Sequence, residues 1–369
     1  MSELASSPSK HSNGARRAAL RALLPGAGVD ALLVTDLVNV RYLTDFTGSN
    51  AALLVHVDGD GRSRLCTDGR YRAQVAAEVP DLEAVIERAC AVTLAGLAPG
   101  LGVGALGFES DHVTVDAHAA LAEHKAALVR APGLVQQLRM VKDDAELAVL
   151  RTACAIADAA LAELIDHGGL APGRTEAEVA LDLEYRMRAH GAAGPSFASI
   201  VAAGPHSAVP HHSPTAAPLR PGDFVKIDFG ALVDGYHSDM TRTVVLGAAA
   251  DWQRELYALV AAAQAAGRAA LAPGVEVADV DAAARHVVVD AGRGEQFVHP
   301  LGHGVGLQIH EAPLLGAAGS GRLAVGMAVT VEPGVYIEGR GGVRIEDTLV
   351  VTDGDPEILT RFPKDLLEI

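Results

Sequence analysis

Two stretches of the chain can be laid over one another, and both carry acids where a buried strand should carry none. Leu219-Arg-Pro-Gly222-Asp-Phe-Val225-Lys-Ile-Asp228-Phe-Gly230 and Leu323-Ala-Val-Gly326-Met-Ala-Val329-Thr-Val-Glu332-Pro-Gly334 place Leu, Gly, Val, an acid and a final Gly at the same offsets. Each copy runs through a turn, Asp234-Gly235 or Gly339–Gly342, into a second apolar segment with acid-x-Thr: Asp239-Met-Thr241 and Glu346-Asp-Thr348. Two such hairpins predict two half-domains meeting face to face. Strand side chains alternate, so Asp239, Thr241 and Thr243 share one face, as do Arg344, Glu346 and Thr348. Hairpin pairing then sets Asp228 beside Asp239 and Glu332 beside Glu346. Burying four carboxylates among Val225, Ile227, Phe229, Val329 and Val331 is prohibitive unless cations compensate them. Only Arg242 and Arg344 lie close in sequence, which favours metal binding over a set of salt-bridged acids.

A histidine segment, His303-Gly-Val-Gly-Leu-Gln-Ile-His310-Glu-Ala-Pro, supplies the nitrogen donor. Gly302, Gly304 and Gly306 permit the close backbone approach a ligand site needs. One imidazole with four carboxylates favours Mn²⁺, Co²⁺ or Fe²⁺ over a thiolate-type zinc centre. Four carboxylates balance two divalent ions, which would lie about 3.5–4 Å apart and support hydrolysis. His211 and His212 follow Pro210 in a polar loop, each readable as a solvated residue or as a substrate contact. His310 shares a pocket with His303 by its spacing, and His237, His286 and His299 read as structural. Thr241 is expected to orient Asp239.

Elsewhere the pattern is that of a two-part chain. Apolar runs at Ala31–Thr35 and Ala51–Val57, alternating with helical stretches at Tyr71–Glu78 and Asp116–Leu128, predict an α/β layer domain ending near Pro132–Gly133. Residues 89–108 carry no charge, yet their glycines and Pro99 break them into a helix end and a strand near Val103–Phe108, not a membrane span. Leu138–Asp166 reads as one amphipathic helix with Asp143 or Asp144 as its cap and Glu146 or Glu163 outward. Thr175-Glu-Ala-Glu178 reads as a capping box for a helix through His190, ended by Gly191. Helices at Asp251–Ala270 and Val277–Ala291, with strands between, make the second part α+β with a largely antiparallel sheet. Met1–Gly14 reads as a loose tail. A net charge of −16 argues against nucleic acid and anionic lipid as partners. Three scattered cysteines, Cys66, Cys90 and Cys154, suggest a reducing, cytoplasmic setting and exclude a thiolate zinc site.

These residues resemble the pita-bread metallopeptidases, specifically the Xaa-Pro aminopeptidase and prolidase branch. The resemblance is carried by Pro210-His211, Asp228-Phe-Gly, Ser238-Asp239-Met-Thr-Arg-Thr, Gly302-His303-Gly-Val-Gly-Leu, His310-Glu-Ala-Pro, Glu332-Pro-Gly and Arg344-Ile-Glu346-Asp. In the first third, Asn39-Val-Arg-Tyr-Leu-Thr, Phe46-Thr-Gly-Ser and Thr67-Asp-Gly-Arg70-Tyr71 resemble the family's creatinase-like domain. The resemblance implies a tail over 1–15, an α/β creatinase-like domain over 16–135 and an α+β pita-bread domain with an internal pseudo-two-fold repeat over 136–369. It implies that Asp228, Asp239, His303, Glu332 and Glu346 bind two divalent ions, Mn²⁺ first with Co²⁺, Fe²⁺ or Zn²⁺ as alternatives, and that Asp239 and Glu346 bridge them. Glu332 would also be the general base, His211 and His310 would bond the substrate around the scissile amide, and Arg344 would support the ligands. The implied substrates are peptides with proline second, the implied assembly a homodimer.

The expected activity is hydrolysis of the bond between an N-terminal residue and proline. An X-Pro bond is a tertiary amide with no N–H and a restricted neighbour, so a site shaped for it is specialised. The rival is a prolidase restricted to X-Pro dipeptides, for which Arg340 is the candidate reader of the proline carboxylate. A methionine aminopeptidase would leave the first domain surplus, and creatinase lacks the metal ligands. The reading from another class is an inactive pita-bread binding module.

Overall fold

Short apolar runs bounded by turn residues become strands in the first third of the chain. In a computed structural model that describes residues 13–369, these strands form one mixed six-stranded sheet. Its spatial order is Glu83–Ile86, Arg64–Thr67, Ala51–His56, Ala31–Val34, Ala105–Phe108 and Ala127–Arg130. The two central strands Ala31–Val34 and Ala51–His56 are buried along their whole length. The helix Cys90–Leu97 lays Leu94 and Ala95 on Leu33, Leu54 and Leu106 to make the core of this unit, which ends at Arg139. The tail expected over 1–15 lies outside the described residues up to residue 12. Asn13–Ala15 begin the helix Asn13–Leu23. The Ala-rich stretch expected as one helix over 116–128 stops at Leu121, because Ala127–Arg130 pairs in parallel with Ala105–Phe108. Sheet pairing outweighs alanine's helix propensity there. Among the described residues, no helix is long and apolar enough to cross a membrane.

The second unit, Met140–Ile369, repeats one plan twice. The helices Asp144–Asp166 and Glu176–Ala189 pack by Leu161, Leu164, Val179 and Leu183 on a sheet ordered Met240–Val245, Phe224–Phe229, Ile200–Ala203. The helices Asp251–Ala269 and Val277–Asp290 pack by Val260, Ala263, Val280 and Ala284 on a five-stranded sheet containing Gly302–Gly304, Ala328–Val331 and Asp347–Val350. Every strand pairing in this unit is antiparallel.

Helix ends follow their caps. Thr175 and Glu178 make the expected capping box, and the helix closes at His190 before Gly191 at φ 107°. The long helix expected over 138–166 is two, Leu134–Arg139 and Asp144–Asp166, since backbone near Val141 bridges Met327 and Asp143 starts a new capping box with Glu146. Glu146 therefore points inward rather than out. It is 2% exposed, takes the Asp143 amide at 2.9 Å, and accepts the Tyr236 hydroxyl at 3.0 Å.

Each repeated hairpin breaks in the middle and changes sheet; Asp239, Glu332 and Glu346 sit at the breaks, and Asp228 lies near the end of its strand. The first leaves its sheet at Gly230, turns at Asp234 (φ 44°) and Gly235 (φ 74°), and returns at Met240. The second leaves at Glu332-Pro333, and its turn is residues 338–340. Gly341 and Gly342, expected in the turn, are already strand, and a side chain at Gly342 would meet the Ser207 carbonyl at 2.7 Å. Register corrects one expectation. Asp228 stands opposite Thr241, with Asp239 just before the strand, whereas the second ladder ends at Val331 opposite Asp347, one step short of Glu332 and Glu346. The halves are stitched by the Glu346 amide to the Thr241 carbonyl (3.1 Å), Thr243 Oγ1 to the Arg344 carbonyl (2.9 Å) and Thr348 Oγ1 to the Asp239 carbonyl (2.8 Å).

A Cβ at Gly230 would collide with the Ser238 carbonyl, so backbone rather than a side-chain tip must move. Gly230→Ala is expected to destabilise the fold by about 2 kcal/mol or more, read as a lowered urea midpoint at unchanged m-value.

Candidate metal centre

The breaks in both hairpins deliver their acids to one cleft of about 380 Å³. Asp228, Asp239, Glu332 and Glu346 line it with His303, and His211 and His310 line it as exposed residues. One donor atom each from Asp239, His303 and Glu346 lie within 4.8 Å of one another. His303 Nε2 is 3.3 Å from Glu332 Oε1 and 3.6 Å from Asp239 Oδ2. Its Nδ1–H donates to the Gly304 carbonyl at 3.0 Å, which turns the Nε2 lone pair toward the carboxylates. A lone pair aimed at two carboxylates needs a proton or a cation between them.

Charge supports the cation. Burial, then repulsion from Glu346 and Asp228, pushes the Asp239 carboxyl well above its ordinary 3.8. Burial, then Glu332 and Asp228, pushes Glu346 well above 4.5. Burial opposes the charge on Glu332 too, but the His303 hydrogen bond and charge outweigh it and hold it at about 2. Burial likewise opposes a charged His303, and Glu332 offsets this and raises it.

The decisive observation is a contrast between neighbours. Asp347 is fully buried and saturated: Arg242, Thr360, Gln264 and Lys364 fill its two oxygens. Among the described residues, Glu346 beside it leaves Oε1 buried with no hydrogen-bond partner, and Asp228 leaves Oδ1 so. Orphaned carboxylate oxygens pointing at a shared space are what metal ligands look like without their ion. The donor set of carboxylates and one imidazole fits divalent metal.

Arg344 fixes the frame around these atoms. It bonds Asp228 through Nη2, Thr241 Oγ1 through Nε at 3.0 Å, and the Tyr336 hydroxyl through Nη1 at 2.9 Å. Thr241 passes its own proton to Glu346 Oε2 at 2.6 Å, so it orients Glu346 and not Asp239, as the sequence had suggested. Thr330 accepts the His303 amide at 3.1 Å and bonds Glu332 Oε1 at 3.2 Å. Gly302 and Gly304 leave room for the Thr330 and Ala312 carbonyls, which any Cβ there would strike.

Some residues were placed wrongly or missed from sequence. His299, read as structural, lines the cleft and bonds Tyr336 at 2.9 Å. Its spacing four residues before His303 was the available signal. Tyr336 gave none, because only the fold brings it to Arg344. Arg340 is exposed, lies over the Trp252 ring at 4.1 Å, and does not line the cleft. His310 packs edge-on to His303 with centroids 4.4 Å apart, and His211 is close enough to lower His310 electrostatically, after burial and His303. Phe197, Ile200, Ile309 and Leu314 provide an apolar wall.

Comparison with known proteins gives the family and the fold. The model of metallopeptidase family M24 matches residues 148–353, and that of the creatinase/prolidase N-terminal domain matches 16–141. An uncharacterised peptidase of Bacillus subtilis is 40% identical over 352 residues, covering 94% of this chain and 98% of its own. Among solved structures, an Xaa-Pro dipeptidase from Bacillus anthracis superposes with a TM-score of 0.93 at 39% identity, over 97% of this chain and all of that one. An X-Pro aminopeptidase from Thermotoga maritima superposes with a TM-score of 0.84 at 32% identity, over 93% and 98%.

Raised carboxyls mean that at Asp239 and Glu346 the metal-free folded chain holds protons the unfolded chain has lost. The part of the stability that these two groups supply therefore falls as pH climbs above the ordinary carboxyl values. Asp239→Asn, which removes one repelling charge, is expected to raise the thermal midpoint of metal-free protein at pH 7 and to abolish the further rise expected of the wild type on adding a divalent metal. A calorimetric scan with and without metal checks both.

Proposed function

The chain belongs to metallopeptidase family M24, with a creatinase-like N-terminal domain before a pita-bread domain, and from that premise we propose that it hydrolyses the peptide bond preceding a proline in second position. The orphaned oxygens of Asp228 and Glu346, in one cleft with Asp239, His303 and Glu332, carry this reading. We assign these five residues to two divalent ions, Mn²⁺ ahead of Co²⁺, Fe²⁺ and Zn²⁺ because no thiolate takes part. Bound there, the metals would supply Lewis-acid polarisation of the scissile carbonyl and a reactive water at neutral pH.

The remaining chemistry falls to the chain. Glu332, held ionised by His303, takes the proton of the attacking water and returns it to the proline nitrogen as the C–N bond breaks. That nitrogen has no proton of its own in an X-Pro amide, so delivery is obligatory. His310 and His211, at the cleft's exposed side, donate to the carbonyl oxygen as it gains charge. Burial and the neighbouring His303 lower His310, so its imidazole is neutral at pH 7 and donates without adding a full charge. Arg344 keeps Asp228 and Thr241 in place. The apolar wall of Phe197, Ile200, Ile309 and Leu314 suits the pyrrolidine ring.

Substrate length divides the relatives, and we favour X-Pro dipeptides. The dipeptidase of Bacillus anthracis matches over nearly the whole chain at higher identity than the aminopeptidase of Thermotoga maritima. Arg340 drops out as the carboxylate reader, since it is engaged on Trp252. An inactive module finds no support, because all five ligand positions are filled and converge. Three buried free thiols, Cys66, Cys90 and Cys154, support a reducing cytoplasm, and a homodimer rests on the resemblance alone.

Manganese-loaded protein is expected to cleave X-Pro dipeptides faster than X-Pro-X-X peptides, and not to cleave X-Ala controls. Glu332→Gln is expected to lower kcat by about 10²–10⁴-fold. A chelator should abolish activity and added Mn²⁺ restore it. A loaded wild type inactive on every proline peptide would overturn the assignment.

A further inference from the structure

A single buried carboxylate outside the cleft gathers both ends of the loop that carries His211. Glu176, the first residue of the helix Glu176–Ala189, is fully buried. Its Oε1 takes the Ala203 amide and His206 Nδ1, both at 2.8 Å. Its Oε2 takes His212 Nε2 at 2.8 Å and the Thr215 amide and hydroxyl at 3.0 and 2.7 Å. The His206 and His212 rings stack with centroids 4.4 Å apart, closing residues 203–215 into a loop. Burial opposes the charge on Glu176, but these hydrogen bonds prevail and hold it at about 2, so it is anionic throughout the working range.

The middle of the loop is tied from the cleft side. Lys226 Nζ donates to the Val209 and Pro210 carbonyls at 2.6 and 3.1 Å, and Arg344 Nη1 donates to Pro210 at 3.2 Å. His211 thus sits between a residue whose carbonyl is held by Arg344 and one whose ring is held by Glu176. Among the described residues, no hydrogen bond holds the His211 ring itself, which is exposed to the cleft. Glu176, His206 and His212 also have the proximity of a cation site. Both Glu176 oxygens are already filled, however, and an ion there would displace the donors that shape the loop.

We infer that Glu176 is a positioning residue that fixes the backbone around His211 and so sets the contact His211 makes with the substrate. The inference rests on the proposed peptidase reading of the cleft. A group displaced by about 1 Å can cost roughly 10²-fold in rate, so a loose loop matters even with every ligand intact.

The test is a double-mutant cycle on X-Pro hydrolysis using Glu176→Gln, His211→Ala and both together, with metal content and thermal midpoint measured for each. Glu176→Gln is expected to keep its metal and to lose about 10- to 100-fold in kcat/KM. The double variant should then be no worse than His211→Ala alone. Wild-type activity in Glu176→Gln, or a double variant whose loss is the product of the two single losses, overturns the inference. If Glu176→Gln does not fold, His212→Phe, which keeps the stacked ring and removes one donor, takes its place in the cycle. Histidine ring NMR separates this inference from the peptidase reading. Expected is a sharp His211 signal in the wild type that broadens in the variant while His303 is unchanged. An unaltered His211 signal overturns the positioning role, whereas inactivity of the loaded wild type overturns only the peptidase reading.

Discussion

Everything in the second unit answers to one electrostatic problem, the confinement of Asp228, Asp239, Glu332 and Glu346 in a space closed to bulk water on most sides. Asp228, Asp239 and Glu346 are each 8% exposed or less. Like charges at such separations repel strongly once water is removed, and no arrangement of the backbone alone relieves this. Arg344 neutralises one carboxylate and braces Tyr336, while His303 compensates Glu332. That leaves Asp239 and Glu346 short of positive charge, and both are driven toward their protonated forms. The fold holds an imbalance that divalent metal at the proposed site would resolve.

The duplicated plan explains how a chain can build such a place reliably. Each hairpin must leave one sheet for another, and at that corner the strand ladder stops, so Asp239, Glu332 and Glu346 can face inward without a cross-strand neighbour, whereas Asp228 faces in from within its ladder. Gly230 makes the first corner, Glu332-Pro333 the second, and the two halves are stitched across the pseudo-two-fold by Thr243 on the Arg344 carbonyl and Thr348 on the Asp239 carbonyl. Buried strands therefore lead into the candidate ligands, while His211 and His310 stand on loops at the exposed side of the cleft.

What could be read from sequence was whatever depends on local pattern. Acids within apolar strands, the repeat, the capping boxes at Asp143 and Thr175, and the glycines around His303 all announce themselves within a few residues. What stayed hidden depends on contacts between distant segments. Thr241 looks like a partner for Asp239, its near neighbour, yet it serves Glu346 from the other half. Glu146 occupies an outward helical position by spacing but is drawn in by its own cap and by Tyr236. Ala127–Arg130 looks helical until the Ala105–Phe108 strand claims it. His299 and Tyr336 find each other only when Gly334–Ile337 turns toward the cleft.

Glu176 shows the same limit in its most instructive form, since by pattern it is only the residue after an N-cap, where an acid is welcome near the helix dipole. The structure gives it a different task. A surface acid at that position would keep one or two water-exposed oxygens, whereas Glu176 is fully buried and its oxygens accept five protein donors drawn from Ala203, His206, His212 and Thr215. A buried carboxylate so completely satisfied is costly to build and specifies one loop conformation over its alternatives. The loop it specifies is the one that presents His211 to the cleft. Two buried acids thus mark opposite uses of the same chemistry. Glu346 keeps an oxygen unsatisfied, which is what the proposed metal site requires. Glu176 has none to spare, so the loop it holds cannot drift.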